Sequence, residues 1–140
     1  CRPEDFDLQS LNLVGCATVT ASHLRSPRPV AEYVEEFERG ALSDTASRIN
    51  LEAKELRAGV PTDLARWASR SGAKQIATPY IPTGPLQDWM LEAMPALAEV
   101  GIELVEWRRE WDTAIWPHAT AGFFKVKKHI PTILRDRGLA

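Results

Sequence analysis

Cysteine is scarce in this chain, occurring only as Cys1 and Cys16, with no CxxC pair and no Cys/His cluster. That excludes the ligand spacing of a structural zinc site and any disulfide framework, and a reducing cytoplasmic setting is the natural expectation. Long apolar runs are missing too. Nothing approaches the roughly 20 residues that cross a bilayer as a helix, so no membrane association is expected. There is no GxGxxG and no GxxxxGK[ST], so the glycine cradles of dinucleotide and triphosphate sites are absent. Paired carboxylates, metal-ligand spacings and a Ser or Cys nucleophile in a fitting context are likewise missing, which leaves no catalytic residue and no metal ligand to assign. The first residue is Cys1 rather than Met, with no visible signal segment, and the chain reads as a fragment rather than as a lipidated protein.

What is present is ordinary. The 44% hydrophobic and 26% charged composition is that of a globular protein. Its 140 residues fit one domain, and a chain of this size buries roughly 68–70% of its unfolded surface without covalent staples. The charge is unevenly placed. From Arg108 to Ala140 seven Lys/Arg face three Asp/Glu, a balance of +4, against ten and sixteen, or −6, in the rest. A basic tail meets phosphates or an acidic partner, or forms a solvated helix face.

Cys1–Ser10 is polar and aperiodic, and residues 1–15 read as a lead-in or linker remnant. Residues 16–140 are expected to form a single Rossmann-like domain. A β-branched strand is predicted within Cys16–Ala21, followed by an irregular loop from Ser22 to Pro29. Pro29 suits the first position of a helix, with Val30, Tyr33, Val34 and Phe37 as its apolar stripe. Gly40 weakens that helix, and Ser43 caps a further segment with Ala46, Ile49, Ala53 and Leu56 inward. Whether this is one bent helix or two stays open. Leu64, Trp67 and Ala68 mark the next helix, stopped by Gly72. Lys74–Thr78 is a strand, Pro79–Pro85 a loop, and Leu86, Trp89, Met90, Met94 and Leu97 line a helix that Pro95 kinks or interrupts. Gly101 ends it, and Ile102–Trp107 is a strand. The crossover between the last two strands is expected to be parallel and right-handed. From Phe123 to Arg137 the spacing is helical again, with Pro131 bending it or starting a second piece. The rhythm predicts an α/β fold with a doubly wound, mainly parallel sheet and helices on both faces.

Ligands of such sheets collect beyond the carboxyl ends of the strands. On this layout three loops lie there. The first offers His23, Arg25 and Arg28; two arginines grip a phosphate or carboxylate, or are simply surface. The second offers Tyr80, a stacking platform or a sheet cover, and Gly84, beside helix amides that suit an anion. The third, Arg108–Gly122, offers Trp116 and His118 in the aromatic stretch Trp111–Phe124, which walls a planar ligand or packs a long loop.

Several short motifs, in order, resemble the α/β domain that opens DNA photolyases and cryptochromes. His23-Leu24-Arg25-Ser26-Pro27-Arg28-Pro29-Val30 stands where that family has R-x-D-L-R-x-x-D-N-P-A-L, keeping the Leu-Arg pair and the proline but not the acidic residues. Gly72-Ala73-Lys74-Gln75-Ile76 is similar to its strand entry, and Thr78-Pro79-Tyr80-Ile81-Pro82 to its D-Y-E-P-Y loop. Gly101–Leu104 and Gly122-Phe123-Phe124-Lys125-Val126 resemble two further passages. The resemblance runs from about Ala17 to Lys128. It implies an accessory domain of a flavoprotein for light-dependent DNA repair or light sensing. Such a domain holds a pterin or deazaflavin antenna chromophore. It also implies FAD only in a neighbouring helical domain, which is the expected partner, and DNA reached only through the parent protein. As part of a lyase, the chain would not act alone. On this basis the cleft residues are His23, Arg25, Arg28, Tyr80, Gly84, Trp116 and His118. Two other functions stay open: a free-standing nucleotide-binding enzyme on a related fold, and a non-catalytic interaction module.

Overall fold

A computed structural model of the protein describes residues 6–139, so the start of the expected lead-in, Cys1 included, lies outside the described residues. In the described part of the lead-in the one regular feature is a short 3-10 turn at Leu8–Ser10. The Phe6 ring packs against Trp107, with centroids 4.8 Å apart. The described chain divides into two units, residues 6–107 and residues 108–139.

Strand and helix alternate through the first unit: β1 (Cys16–Thr20), α1 (Glu32–Arg48), β2 (Ala53–Arg57), α2 (Thr62–Arg70), β3 (Gln75–Pro79), α3 (Pro85–Glu99) and β4 (Glu103–Trp107). The protein is therefore of the α/β class. β1 pairs with β2 in parallel, Cys16 opposite Ala53 and Thr20 opposite Arg57. The β3–α3–β4 crossover is parallel as expected, with Gln75 opposite Glu103. Among the described residues these are two separate two-stranded ladders.

β2 is the strand that periodicity misses. Ala53 and Leu56 do not continue a helix face. Asn50 adopts φ 54°, its N–H donates to Ser47 O at 3.1 Å, and the Leu51 N–H reaches back to Ala46 O at 3.0 Å. That bond pattern closes a helix on a left-handed residue, so α1 stops and the chain leaves extended. Ala53-Lys54-Glu55-Leu56 has helix-forming composition, and the β1 ladder overrides it. Gly72 and Gly101, at φ 71° and 70°, close α2 and α3 in the same way, and each releases the chain into the next strand.

Other expectations about the helices need correction. α1 opens at Glu32 rather than Pro29, because Ala31 is still extended at ψ 142°. It then runs unbroken through Gly40 and Ser43. Its apolar stripe splits. Val30 and Val34 are half-buried, while Tyr33 and Phe37 are 73% and 78% exposed. With 3.6 residues per turn, these two lie on the face opposite Leu42 and Ala46, which take the inner positions. α3 carries Pro95 inside its span without ending. Met94 points outward, and the smaller Ala93 fills the core position instead.

The core of this unit gathers Leu64, Ala65 and Ala68 from α2, Trp89, Met90, Ala93 and Leu97 from α3, and half-buried Val19, Leu56, Ile76 and Leu104, one from each strand. Both ladders thus share one core. α2 and α3 pack on each other, and α1 packs on β1. The buried Trp89 indole N–H donates to Gly59 O just beyond β2, at 2.8 Å.

The second unit holds α4 (Glu110–Ile115), a 3-10 turn at Trp116–His118, α5 (Phe123–Lys127) and α6 (Ile130–Asp136). The stretch expected as one long loop therefore begins as a helix. Arg109 fixes its first turn by donating Nε–H and Nη2–H to the two Asp112 oxygens, at 2.9 and 2.8 Å. Pro131 sits in the first turn of α6, where its missing N–H costs nothing. No helix among the described residues is long and apolar enough to cross a membrane.

Substitutions at two positions, Trp89 and Asn50, test this arrangement in urea unfolding. Trp89→Phe keeps most of the bulk and loses the bond to Gly59, for an expected loss of about 0.5–1.5 kcal/mol; Trp89→Ala is expected to cost about 3–5 kcal/mol. Asn50→Val, which places a β-branched residue at positive φ, is expected to cost about 1–2 kcal/mol, whereas Asn50→Gly leaves the midpoint equal or higher.

Candidate functional site

The carboxyl end of β1 runs into a 3-10 turn, Ser22–Arg25. One carboxylate holds it. Glu38, from the middle of α1, accepts the Ala21 N–H at 2.9 Å on one oxygen and the Ser22 N–H at 3.1 Å on the other. Burial alone would push the Glu38 carboxyl up. The two amides and the Arg25 charge outweigh that and hold it below its ordinary value of 4.5. Ser22 is only 3% exposed, and its Oγ has no partner within hydrogen-bond geometry.

His23 and Arg25 share this turn. The His23 ring donates from Nε2 to Ala58 O at 2.8 Å, which leaves Nδ1 without the proton in the neutral ring and ties the turn to the end of β2. Arg25 is exposed. Arg28 lies farther along the same loop, also exposed, its own N–H bonded to Ser26 Oγ at 3.0 Å. At the carboxyl end of the other ladder, the Tyr80 N–H donates to Trp107 O at 2.8 Å and the Ile81 N–H to a Glu106 carboxylate oxygen at 3.3 Å. The loop therefore leaves β3 along a fixed path with Tyr80 half-buried. Gly84 caps α3 at φ 152° and ψ −177°, a region essentially restricted to glycine. A hollow of about 270 Å³ opens between α1 and the β1–β2 pair, lined by Thr18, Thr20, Arg39, Ser43 and Glu55 among others. Half-buried Cys16 lies on β1, and burial pushes its thiol up, away from the reactive thiolate.

Trp116 and His118 belong to the second unit. The Arg108 guanidinium stands over the Trp116 ring at 5.7 Å, within the range of a cation–π contact. His118 stacks on His129, with centroids 3.7 Å apart and planes 12° from parallel. A metal ion bound in the plane of one imidazole would miss the plane of the other, so this stack is not a chelating pair. Both histidines line a groove of about 910 Å³ together with Arg108, Trp111, Asp136 and Arg137. Arg137 braces the groove by donating to Glu110 O at 2.8 Å and to the Glu110 carboxylate, with its guanidinium 5.5 Å from the Trp111 ring. Asp112 is not a base for His118. Its bonds to Arg109 hold the carboxyl below the usual range against the opposing push of burial, and both oxygens are engaged. Among the described residues no group of three or more His, Cys, Asp or Glu is placed to hold a metal ion.

Sequence inspection missed Glu38, Ser22 and His129. Glu38 reads as one of several acids on a solvated helix, and its targets lie 17 and 16 residues earlier. No local spacing links them. His129 sits between a lysine and an isoleucine and gives no sign of its ring partner.

No protein-family model, curated protein or solved structure matches the chain.

The Glu38 clamp has a pH signature. A carboxyl whose folded-state pKa is depressed stabilises the fold fully above its unfolded value, and loses that contribution as pH falls through the folded value. Glu38→Gln is therefore expected to flatten the fall in urea midpoint on acidification below about pH 4.5. At pH 7 Glu38→Ala, which strands two buried amides, is expected to cost about 1–3 kcal/mol, with faster hydrogen exchange at Ala21 and Ser22.

Proposed function

We propose that the chain is an accessory α/β domain of a photolyase- or cryptochrome-like flavoprotein. Its two parallel pairs belong to a doubly wound, Rossmann-like arrangement, and its ligand is an antenna chromophore of pterin or deazaflavin type. The observation that carries this reading is the turn directly after β1. There Arg25 and His23 emerge at the carboxyl ends of parallel strands, on a backbone pinned by Glu38. Open α/β sheets bind their ligands at such ends. The mutual packing of α2 and α3, with α1 against β1, accords with helices divided between two faces.

In this role Arg25 and Arg28 supply charge for a carboxylate or phosphate of the ligand, and Tyr80 offers a face for its ring. His23 acts as a positioning residue, since its Nε2 is committed to Ala58 O. Flavin and its photochemistry belong to a separate helical domain, and DNA is met through the parent protein rather than by this chain.

The purified chain is to be titrated with a deazaflavin and with a reduced folate, followed by absorbance and fluorescence. One of the two is expected to bind saturably, and Arg25→Ala to weaken it by about tenfold, equivalent to about 1.4 kcal/mol, with the urea midpoint unchanged. No saturable binding of either ligand up to about 1 mM, a limit of about 4.1 kcal/mol, would overturn the proposal. Preferential binding of ATP would do so too, in favour of a nucleotide-binding enzyme.

A further inference from the structure

Two pairs of aromatic side chains stand in solvent on elements of opposite charge. On α1, Tyr33 and Phe37 are one helical turn apart and 73% and 78% exposed, at the pole of the helix farthest from Ala46 and Leu42. Exposed Glu32 and Glu36 flank them. Gly40 continues the stripe, and nothing lies within 4 Å of where its Cβ would be, so another helix can approach closely there. On α5, Phe123 and Phe124 are 63% and 75% exposed, with their rings edge to face at 5.7 Å. Exposed Lys125, Lys127 and Lys128 surround them.

A single exposed aromatic is unremarkable, but adjacent pairs on two elements mark contact surfaces. Their rims are complementary, acidic on α1 and basic on α5. The same opposition holds on a larger scale, −6 over residues 1–107 against +4 over residues 108–140. We propose that these faces are the two halves of a head-to-tail interface between copies of this chain. Phe123 and Phe124 of one copy pack against Tyr33 and Phe37 of the next, and the three lysines meet Glu32 and Glu36. The aromatic centre supplies the buried area, and the charged rim sets the pairing and speeds encounter.

The interface is small. Aromatic side chains bury about 150–250 Å² each, so four of them with a partial rim reach only the low end of the roughly 1,200–2,000 Å² typical of stable complexes. Association is therefore weak and concentration-dependent. Because the two faces differ, each copy keeps one free half, and growth continues into short chains or a ring.

Sedimentation velocity of the full chain from about 10 µM to about 1 mM reads this directly. The weight-average mass is expected to rise with concentration and to fall in about 1 M salt, where charges are screened beyond about 3 Å. Tyr33→Ala/Phe37→Ala and Phe123→Ala/Phe124→Ala are each expected to be monomeric with an unchanged urea midpoint. Mixed, they restore a dimer with one copy of each, because one intact α1 face then meets one intact α5 face. Glu32→Lys/Glu36→Lys is expected to weaken association at least about tenfold, and adding Lys125→Glu/Lys128→Glu in the same chain to recover it. A wild-type chain that stays monomeric throughout overturns the proposal. So does failure of the two alanine variants to combine, which would point to a symmetric contact or a different partner.

Discussion

The indole of Trp89 joins what the hydrogen-bond ladders leave apart. β1 pairs only with β2 and β3 only with β4 among the described residues, so no continuous ladder spans the first unit. Its cohesion rests on side chains. Trp89 leaves α3, crosses the core and ends on Gly59 O, directly after the residue whose carbonyl receives His23. Ala58 also extends the first ladder, donating its N–H to Thr20 O at 2.8 Å. One short segment past β2 thus gathers β1, the turn that follows β1, and α3. Around it Ala58, Ala68 and Ala93 are fully buried, and their small side chains let strand and helix approach closely.

That hub also explains why the turn bearing Arg25 is a defined feature rather than a loose loop. Its backbone is held from two directions, by Glu38 on α1 and by the His23–Ala58 bond. Charge-assisted bonds from backbone amides to a carboxylate are among the stronger polar contacts in a protein, and here they secure three elements at once. The second unit uses arginine for the same purpose. Arg109 fastens the first turn of α4 through Asp112, and Arg137 ties α6 back to Glu110 and Trp111. With so few large apolar side chains buried there, Ile133 being the notable one, ion pairs and ring stacking carry the packing.

Several elements were legible because they depend on local chemistry. Gly72 and Gly101 announce helix ends, since a residue without Cβ enters the left-handed region freely. β1, β3 and β4 carry β-branched or apolar runs, and the β3–α3–β4 crossover had to be parallel given its length. Pro131 opened a helix as its missing N–H allows. Other elements were hidden because a competing interaction decided them. Asn50 does the work of a glycine, and Ala53–Arg57 is a strand only because β1 lies beside it. Tyr33 and Phe37 match a buried stripe by spacing, yet the face of α1 that meets β1 is chosen by Leu42, Ala46 and Glu38.

Among the candidate site residues, the sequence by itself placed His23, Arg25, Arg28, Tyr80 and Gly84 in loops that follow strands, because strand, turn and helix signals are local. It also marked Trp116 and His118 as part of an aromatic cluster. Tertiary structure alone decided what each group is free to do. His23 is committed to a carbonyl, Asp112 to a guanidinium, His118 to a second imidazole, and Glu38, unremarkable in the sequence, pins the turn after β1. The physical reason is distance along the chain. Helix caps and turns are settled among residues a few positions apart, whereas a hydrogen bond between residues 17 or 35 positions apart exists only once the core has brought them together.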